Sequence, residues 1–196
     1  MIFIFVNFFA HDRIYPALPS DDITDIHFIS ESEILFINAG GGIFKSYDGG
    51  YTWEQKALYQ NKQLFKISFH DDVKGTILAY GVTSLVPSGF INTYDGGETW
   101  KFFDLPVSNT NDILLLDEGI VLRSDIYGNI IRQINSVSTR DTVYSMPKFT
   151  VNEGEFGDVL YPFGYITQFE RLPSGQIMAL GYNYYAKNFE LIDDSL

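Results

Sequence analysis

Apolar residues in this chain gather in short runs separated by clusters of Gly, Pro, Asn, Asp and Ser, and no stretch shows helical periodicity with caps. Ile23-Thr-Asp-Ile-His-Phe-Ile29, the turn Ser30-Glu-Ser32 and Glu33-Ile-Leu-Phe-Ile-Asn38 read as two strands joined by a short hairpin. Ile166–Leu172, the turn Pro173–Gly175 and Gln176–Leu180 repeat that layout near the C-terminus. Between them, Leu64–Phe69 and Thr76–Tyr80 open a second unit, and Asp112–Leu116, Ile120–Arg123 and Asn129–Gln133 make a third. Ile34–Ile37, Leu114–Leu116 and Ile120–Leu122 are continuously apolar rather than alternating, which suits sheets covered on both faces.

One segment occurs twice. Gly42-Ile-Phe-Lys-Ser-Tyr-Asp-Gly-Gly-Tyr-Thr-Trp53 returns 47 residues on as Gly89-Phe-Ile-Asn-Thr-Tyr-Asp-Gly-Gly-Glu-Thr-Trp100, with seven of twelve positions identical. A period of this size marks a repeat architecture whose units stack to bury their faces. Within each copy the paired glycines permit the positive φ of a tight turn. The preceding Asp48 or Asp95 can accept hydrogen bonds from turn amides and from the hydroxyl of Thr52 or Thr99. Trp53 and Trp100 then open the next strand with a large ring suited to the seam between units.

Ser46 to Trp53 and Thr93 to Trp100 match the pattern Ser/Thr-x-Asp-x-Gly-x-Thr-Trp in full. The chain thereby resembles the Asp-box, or bacterial neuraminidase repeat, proteins, among them sialidases, xyloglucanase-type glycoside hydrolases, sortilin receptors and the photosystem II assembly factors. The resemblance implies an all-β fold, a β-propeller of four-stranded antiparallel blades. It places the box on the turn between the third and fourth strands of a blade, as a folding staple. Ser46, Asp48, Gly50, Thr52, Trp53, Thr93, Asp95, Gly97, Thr99 and Trp100 are the structural residues it implies.

Four blades are expected, near residues 21–60, 63–106, 111–147 and 164–196, with residues 1–20 as a leader. In the third blade Asn135-Ser-Val-Ser-Thr-Arg-Asp-Thr142 stands where the box belongs, so the motif has decayed while polar turn residues remain. The families resembled usually close with six blades or more. The chain is therefore expected to be a partial or open propeller, completed by further blades of a longer chain or by a second subunit; a small four-bladed ring is the other solution. An open arc leaves apolar faces exposed.

Composition narrows the partners. A net charge of −12 argues against binding nucleic acid through its phosphates and against adhesion to anionic membrane. A protein or carbohydrate ligand fits better. The absence of cysteine excludes disulfides and thiolate chemistry. Met1–Ala10 has the length and apolar character of an export signal but lacks a preceding basic residue, so it reads equally as an edge strand; export would mean an extracellular or periplasmic, secreted protein. No segment approaches the length of a membrane span.

Catalytic chemistry is harder to find. Arg13-Ile-Tyr-Pro is near the Arg-Ile-Pro of sialidases, but Tyr15 interrupts it, and Arg123, Arg132, Arg140 and Arg171 match no position of that pattern. His11, His27 and His70 lack metal-ligand spacing, so neither a metal nor a cofactor is expected. Phe44 breaks the likeness of Gly40–Ser46 to a phosphate-binding loop. The longest connection, Lys148–Gly164, brings Glu153, Glu155 and Asp158 together with Phe156 and Tyr161, acids beside stacking faces, and is the expected ligand-binding segment. The leading function is a non-catalytic binding or scaffold module; a glycoside hydrolase of the sialidase or xyloglucanase type, or a piece of one, is the alternative.

Overall fold

A computed structural model describes residues 22–107, 109–116, 119–145, 148–152, 158–162, 164–183 and 190–192, with side chains from 22 to 145 within those ranges and from 165 to 181. The leader, with Arg13, lies outside the described residues. All regular structure described is strand. The first sheet holds β1 (Ile23–Phe28), β2 (Ile34–Asn38), β3 (Gly42–Ser46) and β4 (Glu54–Leu58) in that spatial order. The second holds β5 (Lys62–Phe69), β6 (Gly75–Gly81), β7 (Gly89–Thr93) and β8 (Lys101–Asp104). The third holds β9 (Thr110–Leu115), β10 (Ile120–Asp125), β11 (Asn129–Ile134) and β12 (Arg140–Ser145). A hairpin of β13 (Lys148–Asn152) and β14 (Asp158–Pro162) comes next, then a three-stranded sheet of β15 (Gly164–Arg171), β16 (Ile177–Asn183) and β17 (Glu190–Ile192). Every pairing is antiparallel between chain neighbours.

The hairpin differs from the sequence reading of Lys148–Gly164 as a single connecting loop. Phe149-Thr-Val151 and Val159-Leu-Tyr161 are β-forming triplets on either side of Gly154 and Gly157, and they pair as Phe149 with Tyr161 and Val151 with Val159. The acidic and glycine residues between them masked that pattern.

The first strands lie against one another, β1 on β5, β5 on β9 and β9 on β15, so they form the inner wall about which the sheets are arranged. The core is divided among the three seams between sheets. Leu35, Ile37 and Ile43 meet Leu64, Ile67, Ile77 and Ile91 in the first. Leu78 and Phe90 meet Ile113, Leu115 and Val121 in the second. Leu114, Leu122 and Ile130 meet Phe169, Ile177 and Ala179 in the third. Each inner sheet is thus apolar on both faces, which is why its second and third strands read as unbroken apolar runs.

A bulge recurs in every first strand. Pairing with the second strand skips Thr24, Phe65, Asn111 and Thr167, so the four inner strands are in equivalent register. Three of the skipped residues bond across to the second strand through their side chains: Thr24 donates to the carbonyl of Ile37, Asn111 to that of Asp125 and Thr167 to that of Leu180. A bulge bends its strand and re-aims the next side chain. In these four strands the re-aimed residues are Asp25, Lys66, Asp112 and Gln168.

Candidate binding face on the inner strands

The two Asp-Gly-Gly turns join β3 to β4 and β7 to β8 and carry the same staple. Asp48 Oδ1 accepts from the Thr52 amide (2.8 Å) and the Ser46 hydroxyl (2.8 Å), and Oδ2 accepts from the Thr52 hydroxyl (2.6 Å). Asp95 repeats this with Thr99 and Thr93. Ser46 and Thr93 in turn accept from the amides of Gly50 and Gly97. The glycines have φ of +71° and +91° in the first turn and +69° and +89° in the second. Donors from Thr52, assisted by Ser46, hold the Asp48 carboxyl down at about 2. For Asp95 burial works in the opposite sense, but the bonds from Thr99 and Thr93 outweigh it and the shift is again downward.

The second turn also fastens two sheets. Lys45, 3% exposed on β3, donates to the carbonyl of Gly96 (3.0 Å) and pairs with Glu98 (2.7 Å) and Glu33 (2.9 Å). Glu98 also takes Lys56 (2.9 Å) and the Tyr47 hydroxyl (2.6 Å). Lys45, followed by Tyr47, brings the Glu98 carboxyl down to about 2. Gly97 lies so close to Leu35 that a Cβ there would sit 2.8 Å from Leu35 Cδ1.

In the third sheet the staple occupies a different turn. Asp125, between β10 and β11, accepts from the amides of Tyr127 and Asn129 (2.9 Å each) and from Asn129 Nδ2 (2.8 Å). The β11–β12 turn, where the box was expected, is closed by main-chain bonds from Ile134 to Thr139 and from Val137 to Ile134, and the Asn135 amide reaches the carbonyl of Gly119 before β10.

The post-bulge residues form a row along the inner wall. Asp25 Oδ2 accepts the amide of Ile67 in the next sheet (3.0 Å), and Asp112 Oδ2 accepts that of Phe169 (2.6 Å). Lys66 has no acceptor to offer. In its seam Ser68 does the work, its hydroxyl accepting the Leu115 amide (2.8 Å). Lys66 Nζ instead lies between the two carboxylates, 3.8 Å from Asp25 and 3.5 Å from Asp112. Burial pushes the Asp112 carboxyl up, against the pull of the Phe169 amide and Lys66. Gln168 occupies the fourth position, exposed, its Nε2 bonded to Glu170. The row thus ties neighbouring sheets together through Asp25 and the buried Asp112, and leaves Lys66 and Gln168 as its more accessible polar groups. Sequence inspection missed this row, because its four residues share neither type nor motif; the signal was their common offset from the turn that ends each first strand.

Of the residues expected to bind ligand, Glu153, Glu155 and Phe156 lie outside the described residues. Asp158 and Tyr161 are placed on β14, where they pair with Asn152 and Phe149. His27 is half-buried: it stacks on Phe69 at 4.5 Å, and burial lowers its pKa. Arg123, 3% exposed in the seam between the second and third sheets, is bonded to Gln133 (3.1 Å) and Thr110 (3.3 Å). Gln133 Nε2 has no hydrogen-bond partner there. Among the described residues there is no cluster of three metal-binding side chains, and no helix long and apolar enough to cross a membrane.

No protein-family model matches the chain, and no curated protein matches it by sequence. Solved structures do. YCF48 bound to a D1 peptide superposes with a TM-score of 0.56 at 19% identity, over 91% of this chain and 57% of that one. The fold is a β-propeller. YCF48 from Cyanidioschyzon merolae gives 0.55 at 16% identity, over 91% of this chain and 59% of that one. The computationally designed Ika4 gives 0.50 at 11% identity, over 89% and 92%. The sheets are accordingly blades, the inner wall faces the propeller axis, and the chain spans somewhat more than half the length of the YCF48 chains it matches. Among the described residues no seam like the three above joins the last blade to the first, and the described sheets form an open arc.

Proposed function

We propose that this chain is a non-catalytic member of the Asp-box propellers, a scaffold that binds an extended protein segment or a glycan. The observation that carries the reading is the use made of its carboxylates. Asp48, Asp95 and Asp125 take turn amides, Asp25 and Asp112 take amides of the next blade, and Glu98 holds two lysines of the first. A glycosidase instead needs two carboxylates facing each other across a bond. The two acids that take amides of a neighbouring inner strand, Asp25 and Asp112, are turned into seams and share one lysine.

YCF48 has this fold and was solved with a D1 peptide, which supports a peptide as the ligand class. A net charge of −12 makes a basic segment the better electrostatic match. The contact is assigned to the β13–β14 hairpin, with Glu153, Glu155 and Asp158 supplying charge-assisted hydrogen bonds and Phe156 and Tyr161 supplying stacking faces. The test is a peptide and glycan array with a glycosidase screen, on the wild type and on a Glu153→Gln/Glu155→Gln/Asp158→Asn variant. Salt-sensitive binding of basic peptides, lost in the variant, is expected. Equal binding by both proteins removes the hairpin from the reading, and hydrolysis by the wild type overturns the non-catalytic assignment.

A further inference from the structure

The two ends of the arc are the two halves of one seam. The register shared by the inner strands makes Ile23, Ile26 and Phe28 of the first blade the counterparts of Leu64, Ile67 and Phe69 in the second and of Ile166, Phe169 and Arg171 in the fourth. Leu64, Ile67, Ile166 and Phe169 are 0%, 8%, 3% and 5% exposed, each covered by the preceding blade. Ile23, Ile26 and Phe28 are 56%, 46% and 55% exposed. The outer part of the same face is occupied by its own aromatics, Phe36 packing on Phe44 and on Trp53. The strip that stays open runs along β1, on which a neighbouring blade rests elsewhere in the molecule.

The fourth blade ends in the complementary surface. Met178 and Leu180 stand opposite Glu170 and Gln168, where Leu35 and Ile37 stand in the first blade opposite His27 and Asp25. Leu35 and Ile37 are fully buried; Met178 and Leu180 are only half-buried. Gln168 holds the position from which Asp25 and Asp112 accept an amide of the next blade, and its side-chain oxygen can do the same. The amide in line for it is that of Ile26, now bonded to its own neighbour Asp25 (3.0 Å).

We propose that two copies of this chain close head to tail, the fourth blade of each seated on β1 of the other, as a two-fold ring of eight blades. The chain carries both halves of a contact it makes internally three times, so a second copy is the occupant of matching surface. Eight blades lie within the range at which propellers close. A head-to-tail contact that closes after two copies leaves no free blade face, whereas one that fails to close grows into filaments.

Size exclusion with light scattering on the 196-residue chain reads the mass directly. A particle of twice 22.3 kDa is expected. Ile26→Glu/Phe28→Glu is expected to halve that mass while keeping the wild-type far-ultraviolet spectrum. The chain has no cysteine, so a second test is available even where that variant fails to fold. Ile26→Cys and Gln168→Cys proteins, mixed and oxidised, are expected to give a disulfide-linked pair. An Asp112→Cys/Phe169→Cys protein, which reproduces the same positions within one chain, controls for reach. A monomeric wild type, a dimer that survives the charge substitutions without cross-linking, or an Ile26→Cys/Gln168→Cys protein that links within a single chain each overturns the proposal. The last would show a closed four-bladed ring, and the first would leave the face to further blades of a longer chain.

Discussion

Removing the Asp95 carboxylate tests whether the repeated turns hold the fold. Asp95→Ala deletes the acceptor for the Thr99 amide, the Thr99 hydroxyl and the Thr93 hydroxyl. The two Thr99 groups are exposed and can bond to water, at a net cost of about 0.5 kcal/mol each. Thr93 is 1% exposed, and a buried hydroxyl left without its acceptor costs about 1 kcal/mol or more. The sum, about 2 kcal/mol, corresponds to a fall in Tm of about 4–8 °C for a chain of this size. Urea titration followed by circular dichroism measures it directly, as a lower midpoint at unchanged slope. The Asp48 turn makes the same bonds but is not wedged against another blade by Gly97 and Lys45, so Asp48→Ala is expected to lose less. An Asp95→Ala protein as stable as the wild type, or less affected than Asp48→Ala, refutes the reasoning.

Acid should weaken the fold between about pH 4.5 and 2. Asp48 and Glu98 both have carboxyls held at about 2, below their unfolded values, so their stabilisation is present above the unfolded pKa and disappears as pH falls through the folded one; Glu98→Gln should flatten part of that slope in a pH series of urea midpoints. Asp112 has the opposite sign, its carboxyl being raised in the folded state, so Asp112→Asn should remove a component that gains stability on mild acidification. Gly97→Ala should cost more than Gly50→Ala in thermal melts, since both have φ near +90° but only at Gly97 would the new methyl meet Leu35 within 2.8 Å. Gln133→Met alone leaves the buried Arg123 guanidinium short of its Gln133 partner, so pairing it with Arg123→Met should recover stability in a double-mutant cycle.

The sequence made the first two blades legible because their turns repeat residue by residue, and chemistry so specific has one geometry. The strands of the third and fourth blades were legible from apolar runs alone, without a box. The β13–β14 hairpin was not, because glycines and acids between two β-forming triplets read as loop. The row of Asp25, Lys66, Asp112 and Gln168 was hidden for a different reason. These residues are related by backbone register after a bulge, and an acid, a base and an amide at that register leave no common letter in the chain. Nor does the alphabet show that Lys66 moves the work of its seam onto Ser68, two residues on.

The staple that moved in the third blade has a wider consequence. Asp48, Asp95 and Asp125 each bind the amide four residues ahead and a side-chain donor on that same residue, yet the third does so one hairpin earlier in its sheet, with asparagine in place of threonine. The feature common to the three blades is a small closed circuit of bonds, carried in each by the hairpin that supplies it. A count of motif strings would find two blades here; a count of such circuits finds three, so the bonding of the carboxylate marks a blade where its letters do not.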